Sequence, residues 1–201
     1  MSDVRRRGRL IVLSGPSGVG KDTVLQTMSR LNPSLARSVS YTTRPQREGE
    51  SDGNPYTFVD GAAFADMIER GELLEYADVY GHLYGTSRAR VREAVESGRD
   101  VVLKIDVQGA ARVREQVDGD ALFIFLLPPS REELRRRLFD RATDDAVSLD
   151  ARWANAEKEL AEQDLYDHRV VNDDVERAAL QILGIIASSR ERLPEAGTTL
   201  P

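Results

Sequence analysis

Short apolar runs and helical stripes alternate along this chain. Apolar runs of four to eight residues between turn residues read as buried strands, and apolar positions three or four apart read as one face of a helix. On that basis residues 9–14 form a strand around Leu10 to Leu13, and residues 21–31 a helix that stops at Asn32-Pro33. Residues 38–41 are a short strand. Residues 42–54, rich in Arg, Pro, Gly and Glu, are a loop. Residues 56–59 are a strand, 61–70 a helix, 72–79 a strand, and 81–85 a turn carrying His82 and Tyr84. The alternation then resumes: helix 87–98 ending at glycine, strand 100–106, helix 109–116 and an almost purely apolar strand 121–127. Ser130 caps a further helix with Glu132 and Glu133 in its first turn. Residues 141–148 are polar and aperiodic, a mobile loop. Leu149, Trp153, Ala156 and Leu160 make one helical stripe, residues 169–171 a last strand, and Val175, Ala179, Ile182 and Ile186 the face of a closing helix.

Strands alternating with helices predict an α/β fold, a parallel sheet sandwiched by helices. Ligands of such sheets bind at the carboxyl ends of the strands. The block at about 40–85 breaks the rhythm and reads as a small mixed α+β insert. At 201 residues the chain is one domain, or one with insertions.

Composition narrows the function. The absence of cysteine excludes disulfides and cysteine metal sites. A net charge of -6 argues against a nucleic-acid partner. No apolar run approaches the ~20 residues of a membrane span, and residues 1–7 lack the apolar region of a secretory signal. The expected compartment is the cytoplasm. Of two basic runs, Arg5–Arg7 and Arg135–Arg137, the first reads as a solvated face.

Candidate chemistry concentrates first in residues 13–23. Gly15, Gly18 and Gly20 remove Cβ atoms over six residues, so the backbone can turn its N–H groups toward an anion. Lys21 adds a positive charge at a helix start, which also favours phosphate. Gly15 and Gly20-Lys21 fit the P-loop pattern G-x-x-x-x-G-K-[ST] except at its last position, where Asp22 stands and Thr23 follows. The plainer alternative is a glycine-rich turn closing a β-α corner.

The second concentration lies in the insert. Arg44 and Arg47 are three apart in an irregular loop, and planar guanidinium groups grip phosphate bidentately. Tyr56 and Tyr84 bring hydroxyls, and Glu75 lies on the strand 72–79. Beside a P-loop this set favours a second, phosphorylated ligand.

Taken together, Gly-Pro-Ser-Gly-Val-Gly-Lys at 15–21, Ser-Val-Ser-Tyr-Thr-Thr-Arg-Pro-Gln-Arg at 38–47, Tyr84-Gly85-Thr86, Ile105-Asp106-Val107-Gln108-Gly109, Leu127-Pro128-Pro129-Ser130 and Val171-Asn172-Asp173-Asp174 resemble guanylate kinases in order and spacing. The resemblance covers about residues 9 to 190. It implies a core of residues 9–37, 86–137 and 153–190, a GMP-binding insert at 38–85 and a lid at 138–152; outside these, residues 1–8 and 191–201 read as flexible tails. It implies transfer of the γ-phosphoryl group of ATP to GMP, with Mg²⁺ as cofactor and no nucleic-acid or membrane partner.

Carried over by position, ATP falls to Gly15, Pro16, Ser17, Gly18, Val19, Gly20, Lys21, Asp22 and Thr23, with Asn172 at the adenine. Arg44, Arg47, Tyr56 and Tyr84 fall to the GMP phosphate, and Ser40, Glu75, Thr86 and Asp106 to the guanine. Lys21, Arg137, Arg141 and Arg152 fall to catalysis. The chemistry of guanine agrees: its N1–H and N2–H₂ donors suit carboxylates, and O6 and N7 suit hydroxyls. Adenine would leave a buried carboxylate unpaired, and hydrogen-bonding sites reject such analogues strongly.

Three positions depart from the family pattern. Asp22 stands where Ser or Thr is usual, Lys104 where the first Asp of an Asp-x-Asp pair is usual, and Ala142 where a lid glycine is usual. A buried lysine needs a partner, so Lys104 and Asp22 are expected to pair, which would leave Asp22 to hold Mg²⁺ directly or through water; the alternative is that Lys104 reaches solvent along its apolar stem and Asp22 merely caps the helix. The rival expectation is a guanylate-kinase-like binding module with weak or lost activity.

Overall fold

A computed structural model of the chain describes residues 7–54, 56–79, 81–117, 121–140 and 149–191. Five strands form a parallel sheet in the order β2-β7-β1-β8-β9: β1 (Leu10–Ser14), β2 (Ala36–Arg37), β7 (Val101–Lys104), β8 (Ala121–Leu127) and β9 (His168–Val171). Leu10 to Leu13 are fully buried, as is most of β8, which explains their unbroken apolar sequence. The helices beside this sheet are α1 (Lys21–Leu31), α3 (Arg88–Glu96), α4 (Val107–Gln116), α5 (Arg131–Asp140), α6 (Leu149–Ala161) and α7 (Val175–Glu191). Helices α1 and α7 pack on each other, as do α5 and α6.

A second, four-stranded sheet is built between β2 and α3. Its order is β4-β3-β6-β5, with β3 (Ser40–Thr42), β4 (Tyr56–Phe58), β5 (Leu73–Val79) and β6 (His82–Ser87). Helix α2 (Gly61–Glu69) joins β4 to β5, its start capped by the Asp60 carboxylate, which accepts the Ala63 N–H. Strand β3 pairs parallel with β4 and antiparallel with β6, and β5 pairs antiparallel with β6.

Four expectations need correction. The turn placed at 81–85 is a strand: the chain reverses between Val79 and His82, which pair, and residues from 82 on run along β5. Gly85 pairs with Tyr76 inside the strand, and it is glycine there because a Cβ would come within 2.9 Å of the Leu73 and Phe64 side chains. The strand placed at 38–41 lies at Ser40–Thr42, and a separate two-residue strand, Ala36–Arg37, precedes it on the edge of the parallel sheet. Asp106 is not the end of a strand. β7 stops at Lys104, and Asp106 caps α4, its carboxylate accepting the Gly109 N–H at 2.8 Å. Helix α4 therefore starts at Val107, two residues before its predicted start. The loop at 141–148, with Arg141 and Ala142, and most of both predicted tails lie outside the described residues.

Candidate active site

The glycine-rich loop joins β1, the middle strand, to α1. Gly15, Gly18 and Gly20 all take positive φ, of 145°, 80° and 100°. At Gly15 the case for glycine is double, since a Cβ would also come 2.4 Å from the Leu126 carbonyl oxygen. Lys21 opens α1, and its ammonium donates back to the carbonyls of Gly15 at 2.5 Å and Pro16 at 3.1 Å. Burial pushes that ammonium below the ordinary lysine value. Glu159, Asp22 and Asp106 pull it up, and Lys104 pushes it down. Asp22 and Thr23 are exposed on the first turn of α1, and Val19 is fully buried.

Two elements from the far end of the chain hold this loop. Glu159, buried on α6, accepts the backbone N–H of Ser17 at 2.8 Å. Burial raises its carboxyl above the ordinary glutamate value, against the pull of Lys21 and the Ser17 N–H. Arg152, two turns earlier on the same helix face, is buried too. At the other end of the loop, Arg137 donates to the carbonyls of Val19 at 3.1 Å and Asn172 at 3.3 Å, and to the Glu133 carboxylate at 2.8 Å. The Asn172 amide donates to the same Val19 carbonyl at 2.8 Å, and Asn172 is 2% exposed. Arg137 and Asn172 thus hold the loop from the side of α5 and β9. Sequence pattern alone does not single out Glu159. Its signal was a charge between Ala156 and Leu160, at the edge of the apolar stripe.

A basic and phenolic cluster forms where the second sheet faces the end of β7. Arg44 is buried and donates to both oxygens of Glu50, at 2.7 and 2.9 Å. Its guanidinium lies 5.6 Å from the centre of the Tyr56 ring, which packs edge-on against Tyr84 at 5.5 Å. Glu50 also accepts the Arg47 N–H, and the Arg47 side chain is exposed. Burial opposes ionisation of Glu50, but Arg44 and the Arg47 N–H outweigh it and hold its carboxyl below the ordinary value. Lys104 joins the cluster by donating to the Tyr56 hydroxyl at 2.9 Å. It also pairs with Asp22, as the chemistry of a buried lysine required.

An acidic cluster forms next to it on the same face of the second sheet, since Glu75 pairs with Thr86 and Thr86 stands two residues from Tyr84 on β6. Glu75 is buried, sits opposite Thr86 across the β5–β6 pairing, and accepts its hydroxyl at 2.5 Å. Burial and the nearby Asp106 push the Glu75 carboxyl up to about 7, the Thr86 hydroxyl only partly offsetting them. A Cβ on Gly109 would meet the Glu75 carboxylate at 2.6 Å and Asp106 at 3.3 Å, so both carboxylates converge on one bare stretch of α4. Ser40 lies on β3, in register with Tyr56 of β4.

The geometry is thus a glycine-rich loop with a lysine, a cluster of cations and phenols, and two converging carboxylates. A sequence model of the family described as Guanylate kinase matches residues 7–189. This chain belongs to the guanylate kinase family. It is 45% identical over 186 residues to the guanylate kinase of Alkalilimnicola ehrlichii, covering 92% of this chain and 91% of that protein. It is 47% identical over 187 residues to that of Syntrophomonas wolfei, covering 93% and 95%. The crystal structure of guanylate kinase from Anaplasma phagocytophilum superposes with a TM-score of 0.76 at 35% identity, over 93% of this chain and 88% of that one. The guanylate kinase fold is therefore shared along nearly the whole chain.

Proposed function

We propose that the residues assembled above carry out transfer of the γ-phosphoryl group of ATP to GMP, giving ADP and GDP, the activity of the family. The observation that carries the assignment is the convergence of Glu75 and Asp106 on Gly109, beside the Arg44, Tyr56 and Tyr84 cluster.

The glycine-rich loop is read as a P-loop. Its backbone N–H groups take the ATP phosphates, and the Lys21 ammonium exchanges the Gly15 and Pro16 carbonyls for β- and γ-phosphate oxygens. Asp22 is a hard oxygen donor, more than half exposed, on the first turn of α1. That fits Mg²⁺, which takes one or two carboxylates alongside phosphates and water. Bound there, the ion would offset charge on the phosphate oxygens. Asn172 is assigned to the adenine, its amide N–H here given to the Val19 carbonyl.

In the second sheet Arg44, Arg47, Tyr56 and Tyr84 take the GMP phosphate, with Glu50 competing for Arg44. Glu75 and Asp106 accept from guanine N1–H and N2–H₂, and Ser40 and Thr86 serve O6 and N7. Arg137, Arg141 and Arg152 serve the transferred group, which develops charge on its oxygens in a loose transition state. Closure of the lid excludes water as a competing acceptor. The setting is purine nucleotide metabolism in the cytoplasm. In support, no described helix is long and apolar enough to cross a membrane.

The test is ADP formation from ATP with GMP, AMP, CMP or UMP as acceptor, across a Mg²⁺ titration. Turnover with GMP alone is expected. Equal turnover with AMP overturns the guanine assignment, and no turnover with any acceptor overturns the whole reading.

A further inference from the structure

Lys104 ends β7, in register with Leu13 of the neighbouring β1, one strand over from the glycine-rich loop. Its ammonium is largely shielded, with 16% of the side chain exposed, and its Asp22 partner is 59% exposed. Its second partner, the Tyr56 hydroxyl at 2.9 Å, belongs to the other sheet, and the ammonium also lies 5.0 Å from the Tyr56 ring centre. One cation therefore bridges the first turn of α1 and the phenol of β4. Lys104 also lies close enough to Lys21 for the two charges to act on each other. Lys104 at the end of β7 and Lys21 at the start of α1 repel each other and together favour an anion between the glycine-rich loop and Tyr56.

We propose that Lys104 binds the acceptor phosphate, standing between Tyr56 and the glycine-rich loop, with Asp22 as the counter-ion that competes with this phosphate for it. The proposal rests on the assignment of Tyr56 and Tyr84 to the GMP phosphate. It adds a cation that bridges the donor and acceptor halves of the site. It also gives the two members of one ion pair opposite effects. Removing the lysine removes attraction for the phosphate, and removing the aspartate removes its competitor. A pair that served only to hold α1 against β7 would weaken binding whichever partner was lost.

The experiment is calorimetric titration of the full chain with GMP and, separately, guanosine, with no ATP and with EDTA to exclude divalent ions. For Lys104→Met, GMP affinity is expected to fall about 10- to 100-fold, the range for a lost hydrogen bond to a charged group, with guanosine affinity unchanged. For Asp22→Asn, GMP affinity rises several-fold, again with guanosine unchanged. Lys104→Arg retains most of the GMP affinity. The proposal is overturned if Lys104→Met leaves GMP affinity intact, if GMP and guanosine fall by one factor, or if both variants lose GMP affinity. Should Lys104→Met fail to fold, Asp22→Asn decides alone, a gain supporting the proposal and a loss ending it. If the unsubstituted protein binds guanosine and GMP equally, the phosphate assignment itself fails, a result distinct from loss of the Lys104 effect.

Discussion

The carboxylate of Glu159 accepts the backbone N–H of Ser17 at 2.8 Å, so a side chain from α6 holds the first turn of a loop 142 residues earlier in the chain. Glu159 also carries negative charge close enough to Lys21 to raise it. Truncation to Glu159→Ala leaves a shielded N–H without its acceptor, which costs about 1–3 kcal/mol. That corresponds to a fall in Tm of roughly 3–10 °C, read by calorimetry. Glu159→Gln keeps an acceptor oxygen and recovers most of the loss. Both variants remove a charge that raises Lys21, so the alkaline limb of kcat/KM moves to lower pH. An unchanged melting temperature in the alanine variant would show that the contact contributes nothing.

Glu75 sets a pH dependence on GMP use. Its carboxyl sits at about 7, above the ordinary 4.5, so at lower pH it carries a proton. Guanine donors need the carboxylate, so below about pH 7 binding must expel that proton. KM for GMP therefore falls as pH rises from about 6 to about 8, with a slope approaching tenfold per unit on the acid side. For stability the sign is opposite: the Glu75 contribution is fully present below about 4.5 and is lost as pH rises through about 7. Glu75→Gln flattens the KM profile over this range, and steady-state kinetics in overlapping buffers read both effects.

Gly109→Ala separates helix propensity from site geometry. Inside a helix this change ordinarily gains about 1 kcal/mol. Here the new Cβ lies 2.6 Å from the Glu75 carboxylate, which has to move. KM for GMP should rise about tenfold or more, in keeping with a disturbed hydrogen-bonding pocket, with KM for ATP little changed. A variant with unaltered GMP kinetics would mean that Glu75 moves freely.

Gly85→Val tests packing under the second sheet. The added carbons meet Leu73 and Phe64, and Phe64 is fully buried. Overpacking of this kind costs about 1–3 kcal/mol. Urea denaturation should show a lower midpoint, and a midpoint equal to that of the unsubstituted protein would contradict the close approach.

What could be read from the chain itself followed from local patterns. β1 up to its final Ser14, and β8, are buried on both faces and therefore apolar. α1 starts where glycines end. The Lys104–Asp22 pair was accessible too, because a lysine at a buried strand end demands an anion and the first turn of α1 offers one. The misread places depend on distant contacts. Gly81 and Gly85 look alike as punctuation, yet only the first lies at the chain reversal, and the second is glycine because of Leu73 and Phe64. Asp106 was placed on a strand because alternation cannot distinguish a strand end from a helix cap. Strand β2 has two residues, too few for any period to show. Glu159 stayed hidden because no linear pattern tells that one edge of α6 faces the loop.

The position of β1 between β7 and β8 orders events during synthesis. Of the strands of this sheet β1 is made first; it is apolar and fully buried over Leu10 to Leu13, and both of its neighbours lie between residues 101 and 127. At translation rates of about 5–20 residues per second, this strand waits on the order of 5 to 20 s for its partners. During that interval the nascent chain carries an unpaired apolar strand, the kind of exposed surface that makes partly made chains prone to aggregate.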